Sequence, residues 1–332
     1  MTVLRSREAL LALAILALLV AVAARFPAFV EPANLGRVFN DTAPLILLAL
    51  GQTVVILTRC IDLSVAANLA LTGMVAALVN VAFPGLPVGV IVLGAVAMGA
   101  ALGALNGLMV WRLAIPPIVA TLGTLTIFRG LVFVVSGGEW INAHEMSDAF
   151  TAFPRAELFG LPALSWIALV AVALVAALIR WAPLGRAFYA VGGNPSAAVY
   201  AGIDPGRTQF WAFTLSGALS GLAGYLWIAR YQVAYVEIAA GFELEVVAAC
   251  VIGGISIAGG VGTVAGAVLG ALFLGIVKNA LPVVGVSPFW QLAISGTAIV
   301  VAVIANGRGA RRPGRQILRR EPHRDPPREA TP

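Results

Sequence analysis

Long apolar runs, cut by short polar breaks, set the pattern of this chain. Successive runs cover Leu10–Ala24, Ala43–Leu57, Val65–Phe83, Val88–Val110, Ile118–Val135, Leu164–Trp181, Phe210–Trp227, Val246–Ile257, Val264–Leu281 and Trp290–Ala305. Most approach the roughly 18–20 apolar residues that cross a bilayer as a helix. None alternates with period 2 over about ten residues, so membrane strands are a poor reading. Backbone groups in lipid must be satisfied within the segment, which makes these runs α-helices. The expected fold is an all-α integral membrane protein, a polytopic bundle of about ten transmembrane helices. Val246–Ile257 is the weakest of the ten and reads better as a broken or re-entrant helix.

One interruption differs from the rest. Arg180–Gln209 carries Arg180, Arg186, Asp204 and Arg207, too polar to cross a bilayer. It breaks at Gly192-Gly193-Asn194-Pro195, and Ser196–Ala201 then offers a short helix. Pro195 suits a first helical position and Gly202 a stop.

Composition agrees with a membrane assignment. Of 332 residues, 60% are hydrophobic and 11% charged, with mean hydropathy +0.97; a soluble domain carries about 25% charged residues. The net charge of +6 invites a nucleic-acid reading, but eight arginines sit in the last 25 residues. A basic tail beside a span is more simply a topology signal that touches surface lipid. The expected organisation is one membrane domain over residues 1–305 and a basic, disordered cytoplasmic tail over 306–332.

Charge also orients the chain. With the N-terminus cytoplasmic, Arg5, Arg7, Arg59, Arg112, Arg180, Arg186, Arg207 and the tail arginines all fall inside. The outside loops keep Arg25, Arg37, Arg155 and Arg230 and collect nine acidic residues. This is the positive-inside pattern, with both termini cytoplasmic; eight or ten spans satisfy it. The first run, flanked by arginine and with Ala21-Val22-Ala23 as a weak cleavage site, also resembles a signal peptide. The many spans that follow favour a retained helix.

Catalytic chemistry has no foothold in the motifs. The sequence holds no G-x-x-x-x-G-K-[ST], H-E-x-x-H or G-x-S-x-G, and Lys278 is its only lysine. Any ATP and magnesium belong to a partner, and no metal site or catalytic residue is expected. Cys60 and Cys250 read as small buried residues.

Polar side chains within the spans are the candidate path for a solute. They are Asp62, Asn68, Asn106, Thr121, Thr124, Arg129 and Asn279. Uncharged hydrogen-bonding groups suit a neutral hydroxylated solute; equally, they can simply bond helix to helix. Asp62 and Ser64 are good helix caps, which gives Asp62 a structural reading as well. Arg129 either lines a polar path or snorkels to the outer surface. A chain of buried carboxylates for proton coupling is missing, which weighs against an ion-driven secondary transporter. Glycines at spacing four, Gly99-x-x-x-Gly103-x-x-x-Gly107 and Gly262-x-x-x-Gly266-x-x-x-Gly270, predict close helix packing.

Four stretches carry a family resemblance: Ile61–Leu78, Asn106–Gly130, Tyr189–Ile203 and Val246–Leu281. In order and spacing they resemble the sugar permeases of ATP-binding-cassette importers, the ribose-type group related to branched-chain amino-acid permeases. The wording departs in places. Thr58-Arg59-Cys60 stands where glycines are frequent, Ala66-Ala67 where Gly-Ser is common, and Ser196 and Tyr200 where Glu and Arg or Leu often occur. Together with Glu243–Gly254, these details resemble the rhamnose branch most, then the autoinducer-2 branch.

The resemblance implies partners: an ATPase subunit, a second permease subunit of the same or a paired kind, and a periplasmic sugar-binding protein. It implies location in a bacterial inner membrane and a role that is not enzymatic. It makes Gly192, Gly193, Asn194, Pro195, Ser196, Tyr200 and Gly202 the expected ATPase-coupling residues. Outside, Glu139, Glu145, Asp148, Glu237, Glu243 and Glu245 become candidates for docking the binding protein. The rival readings are an ion-coupled transporter and a membrane-embedded enzyme or scaffold.

Overall fold

A computed structural model describes residues 7–287 and the isolated positions 290, 293, 296 and 297. Apart from those positions, the run Trp290–Ala305 lies outside the described residues, as does the tail 306–332.

Twelve α-helices account for most of the described chain. They are α1 (Arg7–Ala23), α2 (Pro32–Leu57), α3 (Val65–Ala82), α4 (Val88–Arg112), α5 (Pro117–Ser136), α6 (Asp148–Ala152), α7 (Ala163–Trp181), α8 (Pro183–Gly193), α9 (Pro195–Tyr200), α10 (Pro205–Tyr231), α11 (Phe242–Ile252) and α12 (Val264–Val283). Seven of them, α2, α3, α4, α5, α7, α10 and α12, are long and apolar enough to span a membrane. At 17 residues α1 is slightly short. With 11 residues, α11 is about 16 Å long, half the hydrocarbon thickness, as the weak apolar run suggested.

The helix starts follow local chemistry. Proline occupies the first turn of α2, α5, α8, α9 and α10, where its missing N–H costs nothing. Asp204 accepts from the Arg207 amide at 3.0 Å to begin α10, and Thr263 from the Gly266 amide at 2.9 Å to begin α12.

α2 is the central helix. Every residue from Ala43 to Leu57 is buried, and α2 packs on α10, α12, α7 and α11. α4 and α5 are peripheral; they leave apolar faces exposed, as suits contact with lipid. The closest crossing joins α4 to α10. A Cβ added at Gly99 or Gly103 would overlap the Gly217 or Phe213 carbonyl, and one at Gly217 would lie 2.8 Å from the Gly103 Cα. Gly266 and Gly270 of α12 meet α11 and its C-cap in the same way: a Cβ at Gly270 would lie 2.8 Å from the Gly253 amide nitrogen. The glycine stripes are therefore sites of backbone approach. One expectation is corrected: Gly262 precedes α12 with φ of 152°, so only Gly266 and Gly270 belong to the helical stripe.

At the end of the bundle away from Arg180–Gln209, the segment 137–162 folds over α10. Strand β1 (Ile141–Asn142) pairs antiparallel with β4 (Val233–Ala234), and β2 (Glu157–Leu158) with β3 (Leu161–Pro162). Buried Tyr225 donates to the Phe150 carbonyl at 2.9 Å and stacks edge-on with its ring. Thr263 donates to Glu8 at 3.1 Å, which puts the start of α1 at the same end as the start of α12.

Candidate functional site

The polar segment is more ordered than its composition suggests. Beyond the expected short helix it contains α8, which runs through Gly192 and Gly193, so the chain breaks at Asn194 and not at the glycine pair. Asn194 is extended, with φ −152° and ψ 99°, and its Oδ1 accepts from the Ala197 amide at 3.1 Å. Pro195 opens α9 and Gly202 closes it at φ 78°. Ala198 faces inward, while Val199 and Tyr200 project outward, Tyr200 93% exposed. Beside α9, a surface cleft is lined by Arg186, Asp204, Arg207, Thr208 and Trp211.

Glycine at 192 has a steric reason. An added Cβ there would collide with the Leu57 carbonyl and the Gly260 amide. Gly260 itself donates to the Leu57 carbonyl at 3.0 Å. Arg59, in the α2–α3 turn, donates through Nε to the Gly192 carbonyl at 2.7 Å and through Nη2 to the Gly193 carbonyl at 2.9 Å. The Tyr189 hydroxyl donates to the Gly262 carbonyl at 2.7 Å, and Gln209 to the Thr58 carbonyl at 3.2 Å. The segment is thus bound both to the α2–α3 turn and to the glycine-rich loop before α12. Sequence reasoning missed Arg59, Tyr189 and Gly260. Arg59 figures in the sequence as a topology charge and as a departure where glycines are frequent, and the second of these was the usable signal.

A second cluster lies behind that turn. Asp62 Oδ1 accepts from the Ser64 amide at 2.9 Å and its hydroxyl at 2.6 Å. Asn106 donates to Ser64 Oγ at 2.8 Å, and Thr124 to Asn106 Oδ1 at 2.8 Å. Thr121 donates to the Ile61 carbonyl at 3.3 Å, and Asn68 to the Gly99 carbonyl at 3.1 Å. Gln52, with its amide turned to match donors to acceptors, bonds the Asp62 backbone at 3.1 and 3.2 Å. All these side chains are buried. Burial pushes the Asp62 carboxyl up to about 6, against the lowering effect of Ser64. Asp62 closes a local turn onto Ser64; it does not cap the first amides of α3, because Ser64 holds the cap position.

The other two path candidates lie elsewhere. Arg129 Nη1 donates to the Ile238 carbonyl at 2.5 Å, near the far end of the bundle. Asn279 bonds its own helix at the Gly275 carbonyl, 2.9 Å away.

The acidic candidates divide by engagement. Glu139, Glu145, Asp148 and Glu237 are exposed. Glu145 is held by the Asn142 amide at 2.7 Å, which keeps its carboxyl below the usual range. Glu243 is half-buried, with Oε2 enclosed and without a hydrogen-bond partner. Glu245 pairs with Lys278 at 2.9 and 3.1 Å. Arg230 and Asp41 form a second ion pair at that end. Cys60, whose thiol burial raises to about 11, is chemically inert there.

Comparison with known proteins gives this arrangement a family. Residues 34–303 match the family described as branched-chain amino acid transport system / permease component. The autoinducer 2 import system permease protein LsrC of Enterobacter sp. strain 638 is 39% identical over 308 residues, covering 92% of this chain and 88% of that protein. The ribose import permease protein RbsC of Escherichia coli K12 is 36% identical over 299 residues, 89% and 92% of the two chains. No solved structure matches. With a family match over most of its length and relatives of this identity and coverage, the chain belongs to the branched-chain amino acid transport system permease family, in its ribose-type branch of import permeases.

Proposed function

We propose that this chain is the membrane permease subunit of an ATP-binding-cassette importer that moves a small neutral sugar or sugar-like solute into the cytoplasm. The observation that carries this reading is α9, a short helix that exposes Val199 and Tyr200 while the preceding α8 is fastened to the α2–α3 turn through Gly192 and Gly193 and to the loop before α12 through Tyr189. A protruding element on a rigid base is what a partner must grip to move a membrane domain. The arginine distribution supports a cytoplasmic position for Arg180–Gln209 and for both termini.

On this reading, separate ATPase subunits bind ATP and magnesium and push on Gly192–Gly202. A second permease subunit completes the path, and a periplasmic binding protein docks at the opposite end on Glu139, Glu145, Asp148 and Glu237. Glu243 and Glu245 play a smaller part there, being half-buried or paired. This chain performs no covalent chemistry and works in the bacterial inner membrane. The tail 306–332 adds a basic contact to the inner surface.

The substrate divides among three candidates. Sequence wording favours rhamnose, whereas the relatives are named for autoinducer 2 and ribose. The buried amides and hydroxyls around Asp62, Asn68, Asn106, Thr121 and Thr124 suit any of these once the helices part. Deleting Gly193–Tyr200 is expected to abolish uptake and ATPase co-purification while the spans still insert. Normal uptake after that deletion, or gradient-driven uptake by the chain alone without ATP, would overturn the proposal. Uptake of labelled rhamnose, ribose and autoinducer 2 by cells lacking the chain identifies the solute.

A further inference from the structure

Arg59 occupies a backbone conformation that its side chain disfavours. Its φ is +66°, in the left-handed region that glycine enters freely and branched or long residues avoid. Such a position persists when surrounding contacts over-determine it. Those contacts are the hydrogen bonds to the Gly192 and Gly193 carbonyls at the C-terminal end of α8. These carbonyls have no partner within the helix and sit at its negative pole, so a guanidinium satisfies both at once.

The position is also a junction. A Cβ added at Gly259 would collide with the Arg59 side chain, and Gly260 bonds the Leu57 carbonyl just ahead of the turn. Three residues beyond Arg59 stands Asp62, the start of the buried chain Asp62–Ser64–Asn106–Thr124 that joins α3, α4 and α5. Displacing α8 and α9 therefore pulls on the α2–α3 turn through a forked, charge-assisted grip, and not through van der Waals contact alone.

We infer that Arg59 is a positioning residue for energy coupling: its guanidinium clamps the end of α8 to the α2–α3 turn, so that motion of α9 reaches the buried polar network. The inference rests on the proposed importer reading and adds a specific residue and route to it. The test reads coupling directly.

The assay is uptake per ATP hydrolysed by the assembled transporter in proteoliposomes. The wild type must first show ATP-dependent uptake; if it does not, the importer reading fails and the role of Arg59 is not what has failed. Arg59→Gly relieves the backbone and removes the guanidinium. It is expected to insert and co-purify with the ATPase, while uptake per ATP falls about tenfold, within the range by which intervening residues modulate coupling. Arg59→Lys keeps the charge but replaces the rigid two-nitrogen fork by a single nitrogen, and it is expected not to restore coupling. Wild-type uptake per ATP in Arg59→Gly overturns the inference, as does a lowered thermal midpoint with coupling intact. If Arg59→Gly does not assemble, Arg59→Lys decides in the same assay: full coupling there overturns the clamp.

Discussion

The Tyr189 hydroxyl reaches the Gly262 carbonyl at 2.7 Å across 73 residues of sequence. This bond fastens α8 to the loop that precedes α12. Burial pushes the Tyr189 hydroxyl up from its ordinary value, so it stays a donor throughout the working pH range. Tyr189→Phe should remove about 1 kcal/mol and lower the thermal midpoint by roughly 2–4 °C. An unchanged midpoint in detergent would show that the bond contributes nothing.

Asp62 makes stability depend on pH in an unusual direction. Its folded carboxyl titrates near 6, above the ordinary 3.8. The folded chain therefore binds the extra proton, and that contribution is full below about pH 4 and lost as pH rises through 6. Asp62→Asn keeps an acceptor oxygen for Ser64 and carries no charge. The variant should gain stability relative to wild type as pH rises from 4 to 6, by about 3 kcal/mol at most, and stay level above. Thermal midpoints of both proteins across pH 4–8 check this; a wild type that gains on the variant over the same interval contradicts it.

The α4–α10 crossing should tolerate no added carbon. Gly103→Ala places a methyl against the Phe213 carbonyl and Gly217 backbone, and is expected to destabilise by about 1–3 kcal/mol. Gly123→Ala on α5 meets open space and should be neutral or slightly stabilising. The contrast can be read from the folded fraction by fluorescence-detected size exclusion after heating. Equal gain in both variants would mean that helix propensity, and not close approach, governs these positions.

At the far end, Glu139→Lys with Glu237→Lys reverses two exposed charges. If this rim receives the binding protein, association should slow while dissociation changes little, and added salt should erase the difference. Surface plasmon resonance on the reconstituted permease supplies both rates. Salt-independent weakening would point to packing damage instead.

Much of this protein was legible from apolar run length. Helix positions followed, because a backbone in lipid has few other solutions, and the start at Pro195 carried a recognisable signal. The thinness of Val246–Ile257 was visible as well. Other features were not. α2 begins at Pro32, eleven residues before its apolar run, because Asn34, Arg37, Asn40 and Asp41 are helical without being apolar. The segment Pro183–Gly193 read as a loop and folds as α8, since a short helix outside the membrane has no run length to announce it.

The sequence by itself determined the membrane class, the position of most spans, the polar segment that breaks them and the family. Those follow from local quantities: hydropathy, proline and glycine placement, and the ordering of motifs. Only the tertiary structure decided which polar residues meet. It gathered Asp62, Ser64, Asn106, Thr121 and Thr124 into one buried network and left Arg129 and Asn279 apart. It also set Arg59 on the Gly192 and Gly193 carbonyls, residues 133 and 134 positions away. Such meetings depend on how helices cross, and crossing is fixed by backbone approach at Gly99, Gly103, Gly217 and Gly221, a relation between distant segments that no single stretch encodes.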